Sequence, residues 1–328
     1  MKIHIISTGG TIVSIPGERG LAPGDAGRIP GFLESRFPDH KFSSEVLMNL
    51  DSSNIGPEHW SQIASAAWEA LSHADGVIVT HGTDTMAYTS SALGFMLRGV
   101  RKPVTITGSQ IPSDNPNSDA PSNLALAVNA VSNNIGGVTV SFGNQIINGV
   151  RAVKTGTSDI CAFESVGAPP LASMTAFGLD VSHRPPFDGE YEARLENQIC
   201  PDVFLLKLVP GANPEILGAI RSMGFKGAVI EAFGAGNVPC VGRDVAEAVR
   251  GLAASGVPVV TRSQCLRGSV EMSAYETGRR LLEAGAISAG DMTTEAAVVK
   301  LMWALGKTSD LIEVGGIFRN NFAGEITL

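Results

Sequence analysis

Near its start the chain reads Ile5-Ile6-Ser7-Thr8-Gly9-Gly10-Thr11-Ile12, where an apolar run that begins at Ile3 ends in a polar turn with two glycines. The pattern predicts a buried strand that delivers one hydroxyl group, that of Thr11, to a site. A second stretch, at residues 77–85, is built in the same way and reads Val77-Ile78-Val79-Thr80-His81-Gly82-Thr83-Asp84-Thr85. We expect the two turns to face one another. Taken alone, the first segment is equally compatible with a turn threonine that caps its own backbone.

The composition is ordinary for a soluble globular protein. At 328 residues the chain has room for two domains. Hydrophobic residues make up 44% of it and charged residues 17%. The net charge of -8 argues against a nucleic-acid partner, because binding to a duplex needs a basic face.

Cysteine usage and hydropathy lead us to expect a cytoplasmic protein. The four cysteines are far apart in sequence and form no CxxC pair: Cys161, Cys200, Cys240 and Cys265. They are therefore predicted to be reduced thiols rather than zinc ligands. No apolar run approaches the roughly 18 residues of a membrane span, and we expect no signal peptide before the first strand.

Strands alternate with helical patterns along most of the chain. In the first half, strands are predicted at residues 2–7, 45–50, 76–80, 103–107 and 138–142, with a hairpin partner at 145–153. The helices of this half are predicted at 57–72, 85–97 and 120–132. The alternation indicates an α/β fold with a mainly parallel sheet, which binds ligands beyond the carboxyl ends of its strands. Three polar turns follow such ends, at 8–11, 51–54 and 81–84.

Two segments interrupt this alternation. Residues 13–31 are rich in glycine and proline and predict a long loop, either a lid or a surface excursion. Residues 181–200 are interpreted as a linker between a catalytic α/β domain at 1–180 and a smaller α/β domain at 201–328. The second domain has predicted strands at 203–209, 227–232 and 257–261, and predicted helices at 214–223, 243–254, 275–284 and 293–305.

The pair Thr83 and Asp84 is half of a system that could activate a nucleophile, because a hydroxyl lies beside a carboxylate at a strand end. The missing part is a base or a cation. His81 is close in sequence, but a structural hydrogen-bonding role also accounts for it. Lys154 would serve better if the fold brings it close, and is otherwise a surface residue. The glycines before Thr11 match neither the GxGxxG nor the GxxxxGK[ST] pattern.

The two turns together resemble the paired signature of bacterial-type L-asparaginases, most nearly that of the cytoplasmic type I branch. They read Thr8-Gly9-Gly10-Thr11-Ile12 and His81-Gly82-Thr83-Asp84-Thr85-Met86. Further segments similar to the family extend over nearly the whole chain: Leu50-Asp51-Ser52-Ser53-Asn54 through Trp60, Thr107-Gly108-Ser109-Gln110-Ile111-Pro112, Ser118-Asp119-Ala120, Asp159 to Phe163, Ala284-Gly285, Gly290-Asp291-Met292-Thr293 and Lys300-Leu301. Two long motifs at the family's separation are specific, so the capping interpretation of Thr11 loses its weight.

The resemblance implies the asparaginase fold, with a larger, mainly parallel N-terminal sheet flanked by helices and a smaller C-terminal α/β domain. Thr11 would be the nucleophile that forms a covalent acyl-enzyme with the side-chain amide carbon. Thr83 would be a second catalytic threonine, in a relay with Asp84 and Lys154. No metal and no organic cofactor would be needed.

The resemblance also implies how a small amide substrate would be held. Asp84 would bind its α-ammonium group, and Ser52 its α-carboxylate, with Asp51 and Ser53 beside it. Backbone N–H groups of Gly82 and Thr83 would stabilise the oxyanion, and Gly10 belongs to the same set of site residues. The family implies a homodimer or homotetramer in which the C-terminal domain of a neighbouring protomer contributes to the site. Asn237 is the residue expected to make that contribution.

One departure from the family concerns the lid. Family members carry there a tyrosine that helps to deprotonate the nucleophile, whereas this chain has Leu21 in Gly17-Glu18-Arg19-Gly20-Leu21-Ala22-Pro23. Loss of a general base costs about 10²–10⁴-fold in rate. Either the relay through Thr83 and Lys154 suffices, or Tyr191 enters the site, or the substrate differs from free asparagine and supplies its own assistance.

The leading hypothesis is hydrolysis of L-asparagine to L-aspartate and ammonia. Glutamine, D-asparagine or a related small amide is the alternative within the same chemistry, because one methylene is worth only about 1–3 kcal/mol of discrimination.

The ammonia-releasing component of the archaeal Glu-tRNA amidotransferase also resembles the family, but it has an added N-terminal domain that we do not expect here. An asparagine-binding sensor with weakened catalysis is a third hypothesis, prompted by Leu21. Some type I relatives have an effector site in the C-terminal domain; Ser263-Gln264-Cys265 is either such a site or core packing at a strand end.

Overall fold

The computed structural model describes residues 1–13, 15–17, 20–22, 24, 26–185 and 192–327. The chain divides into two units, the first comprising Met1–Asn197 with Phe322–Gly324 and the second Gln198–Asn321 with Glu325–Leu328. The expected two-domain α/β architecture is confirmed. The finer boundaries at 180 and 200 stay predictions.

The secondary structure of the first unit is dominated by strands. They are β1 (Lys2–Gly9), β2 (Ile15–Gly17), β3 (Gly20–Ala22), β4 (Lys41–Leu50), β5 (Gly76–Thr80), β6 (Pro103–Thr107), β7 (Gly137–Phe142), β8 (Gln145–Asn148), β9 (Ala152–Lys154), β10 (Phe163–Ser165), β11 (Ala172–Thr175) and β12 (Gly178–Val181). The helices of the unit are α1 (Arg28–Arg36), α2 (Pro57–Ala70), α3 (Met86–Met96) and α4 (Ala120–Ser132).

The main sheet of this unit is mixed. Among the described residues, eight strands pair in the order β12-β11-β8-β7-β6-β5-β1-β4. The strands from β4 to β7 in this order are parallel, and β8, β11 and β12 continue the sheet antiparallel. Ile3, Ile5 and Ile78 pack in one core cluster with residues of α1 and α4, and α2 contacts β1 and β5. β5 is buried along its whole length. Its sequence is a continuous apolar run because strands buried on both faces need apolar side chains on both.

The strand order places the polar turns side by side. β1 lies between β4 and β5, so the chain changes direction across the sheet at this point. Gly9 is opposite Leu50, and Ser7 is opposite Thr80, so the carboxyl ends of the three strands meet at one edge. The edge where strand order reverses is the usual ligand site of a parallel sheet.

The prediction of one long loop at 13–31 is wrong. β2 and β3 form a hairpin in which Ile15 is opposite Ala22. α1 begins at Arg28. Its buried residues Ile29 and Leu33 are one helical turn apart and form its apolar face. β4 is also longer than predicted: it begins at Lys41, which pairs with Lys2 at the start of β1.

The second unit is a smaller parallel sheet with helices. Its strands are β13 (Val203–Lys207), β14 (Gly227–Ala232), β15 (Val259–Ser263) and β16 (Ile287–Ser288), paired in this order. Its helices are α5 (Glu215–Ser222), α6 (Val245–Ala254), α7 (Glu276–Glu283), α8 (Thr294–Leu305) and α9 (Leu311–Arg319).

The expectation that a helix at 293–305 closes the chain is wrong, because α9 follows it. α9 begins after Asp310, whose carboxylate accepts hydrogen bonds from the N–H groups of Ile312 and Glu313. Val314 and Phe318 are one turn apart and both are buried. None of the described helices combines the length and the hydropathy that crossing a membrane requires.

Candidate active site

Thr11 follows a backbone turn that requires glycine. Gly9 and Gly10 have φ angles of 105° and 85°, a region in which residues with a side chain are strained. A Cβ atom on Gly10 would lie 2.4 Å from the backbone nitrogen of Gly82. The turns after β1 and β5 therefore touch backbone to backbone, and Thr11 is half-buried at the start of a short 3-10 turn.

Lys154 joins the turn after β5 through its side chain. Its ammonium group donates to Thr83 Oγ1 at 2.8 Å and to Asp84 Oδ1 at 2.7 Å. The Lys154 side chain is only 18% exposed, so this ion pair is partly shielded from water, although Asp84 is 65% exposed. Antiparallel pairing of Lys154 with Phe163 holds the backbone of β9 in place. A hydroxyl, a carboxylate and an ammonium group thus meet within hydrogen-bond distance.

His81 has a structural role. It is fully buried, its Nδ1 lies 2.6 Å from the carbonyl oxygen of Gly82, and its Nε2 lies 2.9 Å from Thr89 Oγ1. Burial lowers the pKa of His81 from 6.5 to about 4. A neutral imidazole whose two nitrogens already have partners cannot supply the cation beside Asp84, and Lys154 occupies that position.

The turn after β4 brings a buried hydroxyl to the same edge. Ser52 is 3% exposed, and its Oγ accepts a hydrogen bond from the backbone N–H of Asp84 at 3.2 Å. Its carbonyl oxygen accepts from Thr85 Oγ1 at 2.6 Å. These two bonds connect the turns after β4 and β5.

Asp51 precedes this hydroxyl and caps its turn. The hydroxyl and then the backbone N–H of Ser53 donate to the Asp51 carboxylate, at 2.6 and 2.8 Å, and lower its pKa below the usual 3.8. Asp51 is therefore an anion at neutral pH. It holds the short turn Ser52–Asn54 in the conformation that presents Ser52.

A pocket of about 240 Å³ lies where these turns meet. Its lining contains nearly all of the predicted site residues of this unit: Gly10, Thr11, Asp51, Ser52, Gly82, Thr83, Asp84 and Lys154. Ser53 acts one step away, through Asp51. A larger pocket of about 610 Å³ lies beside β4 and α2, but it lacks this convergence of hydroxyl, carboxylate and ammonium groups. Among the residues that the structure describes, no cluster of histidine, cysteine or acidic side chains is arranged to hold a metal ion.

Three residues of the pocket lining were not among the predicted site residues: Leu50, Gln110 and Thr157. Gln110 accepts a hydrogen bond from Thr83 Oγ1 at 3.0 Å, and Thr157 lines the pocket near Lys154. Gln110 follows the carboxyl end of β6, so the rule that located the other turns could have found it. Thr157 lies in an irregular segment and carries no comparable signal.

Three predicted contributors remain without a placement in this pocket. Asn237 belongs to the second unit, where its Oδ1 accepts a hydrogen bond from Thr277 at 2.9 Å. Its contribution to a neighbouring protomer stays a prediction. Leu21 lies on β3, but its side chain is outside the described part of the structure, as is the whole of Tyr191. The three alternatives for the missing lid tyrosine therefore stay predictions.

Comparisons with known proteins identify the family of the chain. The model of the asparaginase N-terminal domain matches residues 2–187, and that of the glutaminase/asparaginase C-terminal domain matches residues 202–318. An L-asparaginase from Thermococcus kodakarensis is 42% identical, over 100% of this chain and 99% of its own length. The chain belongs to the asparaginase family. The resemblance inferred from the two turns is thus confirmed.

Solved structures of asparaginases have the same fold. The thermostable L-asparaginase from Thermococcus kodakarensis superposes with a TM-score of 0.93 at 43% identity, and L-asparaginase I from Vibrio cholerae with 0.89 at 32%. Each comparison covers 100% of this chain and 99% of the other. One component of the glutamyl-tRNA(Gln) amidotransferase of Thermococcus kodakarensis is also 38% identical, over 99% of this chain and 76% of its own length. Family membership alone therefore leaves the substrate open.

Proposed function

We propose that this asparaginase homologue hydrolyses the side-chain amide of L-asparagine to L-aspartate and ammonia through a covalent threonine acyl-enzyme. One observation carries the proposal: Thr11 lines the same pocket as the hydrogen-bonded group of Thr83, Asp84 and Lys154. The 42% identity to an L-asparaginase over the full chain supports asparagine as the substrate.

In this proposal the turns after β4 and β5 hold the substrate. Asp84 has an exposed carboxylate that can bind the α-ammonium group. The hydroxyl of Ser52 and the backbone around it receive the α-carboxylate. The ammonium and carboxylate groups on the α-carbon carry opposite charges. Binding of both would set the orientation of the amino acid and direct its side-chain amide to Thr11.

The first chemical step transfers the acyl group. Thr11 Oγ attacks the amide carbon, and backbone N–H groups of Gly82 and Thr83 stabilise the resulting oxyanion. The C–N bond then breaks. The nitrogen takes up the proton that Thr11 loses, passed on by the relay, and leaves as ammonia. The product of this step is an ester between Thr11 and the aspartyl side chain.

The second step releases aspartate. A water molecule attacks the ester carbon, the bond to Thr11 Oγ breaks, and the proton of the water returns to Thr11. Thr83 and Lys154 would pass the proton in both steps, and Asp84 would stabilise the ammonium form of Lys154. This role requires that the Thr83 hydroxyl presents an acceptor to the pocket.

The direct test is an ammonia-release assay with L-asparagine, L-glutamine and D-asparagine. We expect turnover to be highest with L-asparagine and to be lost in Thr11→Ala and strongly reduced in Thr83→Val. Mass spectrometry of rapidly quenched enzyme should find the aspartyl adduct on Thr11. Full turnover in Thr11→Ala would refute the nucleophile assignment, and binding of asparagine without ammonia release would identify a sensor.

A second candidate function is the supply of ammonia to a partner enzyme, favoured by the 38% identity to the amidotransferase component. That function predicts turnover that depends on the partner, whereas we expect the purified protein to be fully active as a homodimer or homotetramer. Light scattering combined with the assay separates the two. We also propose a cytoplasmic location, which agrees with the four free cysteines.

A further inference from the structure

Gln110 sits on a rigid backbone in the wall of the pocket. The carboxylate of Asp119 accepts hydrogen bonds from the backbone N–H groups of Gln110, at 3.0 and 3.1 Å, and of Ile111, at 2.9 Å. Asn123 Nδ2 donates to the same carboxylate at 3.0 Å. These bonds connect the turn after β6 to α4. They fix the backbone of Gln110, from which its side chain extends.

Two carbonyl groups determine how the Gln110 amide is oriented. Its Nε2 lies 3.3 Å from the carbonyl oxygen of Thr157 and 3.2 Å from that of Asp159. Backbone carbonyls only accept hydrogen bonds, so the amide NH₂ must face them. The opposite orientation would place oxygen against oxygen at these distances. Gln110 Oε1 therefore faces Thr83.

This orientation determines the direction of the Thr83 proton. Oε1 can only accept, and it lies 3.0 Å from Thr83 Oγ1, so the Thr83 hydroxyl donates to it. The ammonium group of Lys154 can only donate, and it takes one lone pair of Thr83 Oγ1 at 2.8 Å. A hydroxyl has one proton and two lone pairs. The remaining lone pair is left for the pocket.

We propose that Gln110 is a positioning residue that makes Thr83 a hydrogen-bond acceptor toward the pocket, an inference that rests on the proposed amide hydrolysis. An acceptor at this place can receive the proton of the attacking hydroxyl or of the attacking water. Without Gln110 the Thr83 proton can turn into the pocket and occupy the position that the reaction needs. In this proposal Gln110 acts through Thr83 and not directly on the substrate.

The kinetic test uses Gln110→Met, which keeps the length of the side chain and removes its hydrogen bonds. We expect kcat for L-asparagine to fall about tenfold, the worth of roughly one hydrogen bond, with KM within about twofold of the wild type. The matched control is Gln62→Met on the exposed part of α2, which should keep both constants. An unchanged kcat, or a rise in KM as large as the fall in kcat, overturns the proposal, and the latter identifies Gln110 as a substrate contact.

A double-mutant comparison tests whether Gln110 acts through Thr83. Adding Gln110→Met to Thr83→Val should cause no further loss of kcat, because the hydroxyl that Gln110 orients is already absent. A further tenfold loss would show a separate role and overturn the proposal.

Neutron diffraction of deuterium-exchanged crystals gives a readout that does not depend on activity. The Thr83 deuteron should lie on the line to Gln110 Oε1, and the deuterons of Nε2 should point at the two carbonyls. A deuteron of Thr83 directed at Lys154 or into the pocket overturns the inference. If the hydrogen positions agree but L-asparagine is not hydrolysed, the proposed function fails and the orientation of Thr83 stands.

Discussion

The turns after β1 and β5 are alike in sequence and differ in their surroundings. Thr83 is bonded on two sides, to Lys154 at 2.8 Å and to Gln110 at 3.0 Å. Among the residues that the structure describes, none is hydrogen-bonded to the Thr11 hydroxyl, and the backbone of the neighbouring Gly10 packs against Gly82. The turn after β5 thus supplies Thr83 with its hydrogen-bond partners in place. The turn after β1 supplies the Thr11 hydroxyl, which the described residues leave available to a substrate. In the proposed reaction Thr83 belongs to the relay and Thr11 is the nucleophile.

The largest expected effect comes from removing the available hydroxyl. Thr11→Ala should lower kcat by about 10³-fold or more, because the proposed acyl-enzyme forms on the Thr11 hydroxyl. L-Aspartate binding, measured by calorimetry, should persist, since Ser52 and Asp84 are untouched. Thr11→Ser serves as the control and should retain measurable turnover. If alanine and serine variants were equally active, the contrast between the two turns would have no catalytic meaning.

Removing the cation of the assembled cluster should have a smaller effect. We expect Lys154→Met to lower kcat by about 10²–10³-fold, the range of one general acid–base contribution. The exposed Lys226→Met in the second unit is the control and should behave like wild type in the ammonia assay. A loss confined to KM would mean that Lys154 only helps to bind the substrate.

The contact between the two turns can be broken by a single methyl group. In Gly10→Ala the alanine would have to adopt a φ angle of 85°, and its Cβ atom would lie 2.4 Å from the Gly82 backbone nitrogen. We expect a loss of about 2–4 kcal/mol in the free energy of unfolding, from backbone strain and overpacking, together with lower turnover. In urea unfolding, the control Gly31→Ala should be neutral or stabilising, because nothing lies within 4 Å of its Cβ position in α1.

The buried imidazole beside the assembled turn should make stability depend on pH. The pKa of His81 is about 4 when folded and near 6.5 when unfolded, so the unfolded chain binds the extra proton between these values. The His81 contribution is complete above pH 6.5 and is lost as pH falls toward 4. It should amount to about 2 kcal/mol between pH 7 and pH 5. An NMR titration that finds His81 charged at pH 5 in the folded protein would contradict this.

The smallest expected effect tests whether the nucleophile needs a base of its own. Leu21→Tyr restores a hydroxyl to the lid position where the family carries one. We expect kcat to change by less than about threefold if the proposed relay suffices, in which Lys154 donates to Thr83 Oγ1 at 2.8 Å. A gain of tenfold or more would show that the relay does not replace the lid tyrosine.

The sequence was most informative about the elements that are local in the chain. β5, β6 and α4 were predicted with the right or nearly the right bounds, because buried strands and helices have a clear periodicity. The hairpin of β2 and β3 was missed, because its three-residue strands are too short to show a period. α9 was missed although Asp310, Val314 and Phe318 carry the signals of a cap and a buried face.

By itself, the sequence determined the family, the α/β fold and the two glycine turns with Thr11 and Thr83. These features depend on local patterns and on motifs whose spacing can be read along the chain. Only the tertiary structure decided which distant groups complete the site. Lys154 and Gln110 reach Thr83 from 71 and 27 residues away, and His81, the neighbour in sequence, is buried and neutral. The residue patterns and the resemblance named Lys154 as a candidate, but the distances to Thr83 depend on how the sheet and its loops pack.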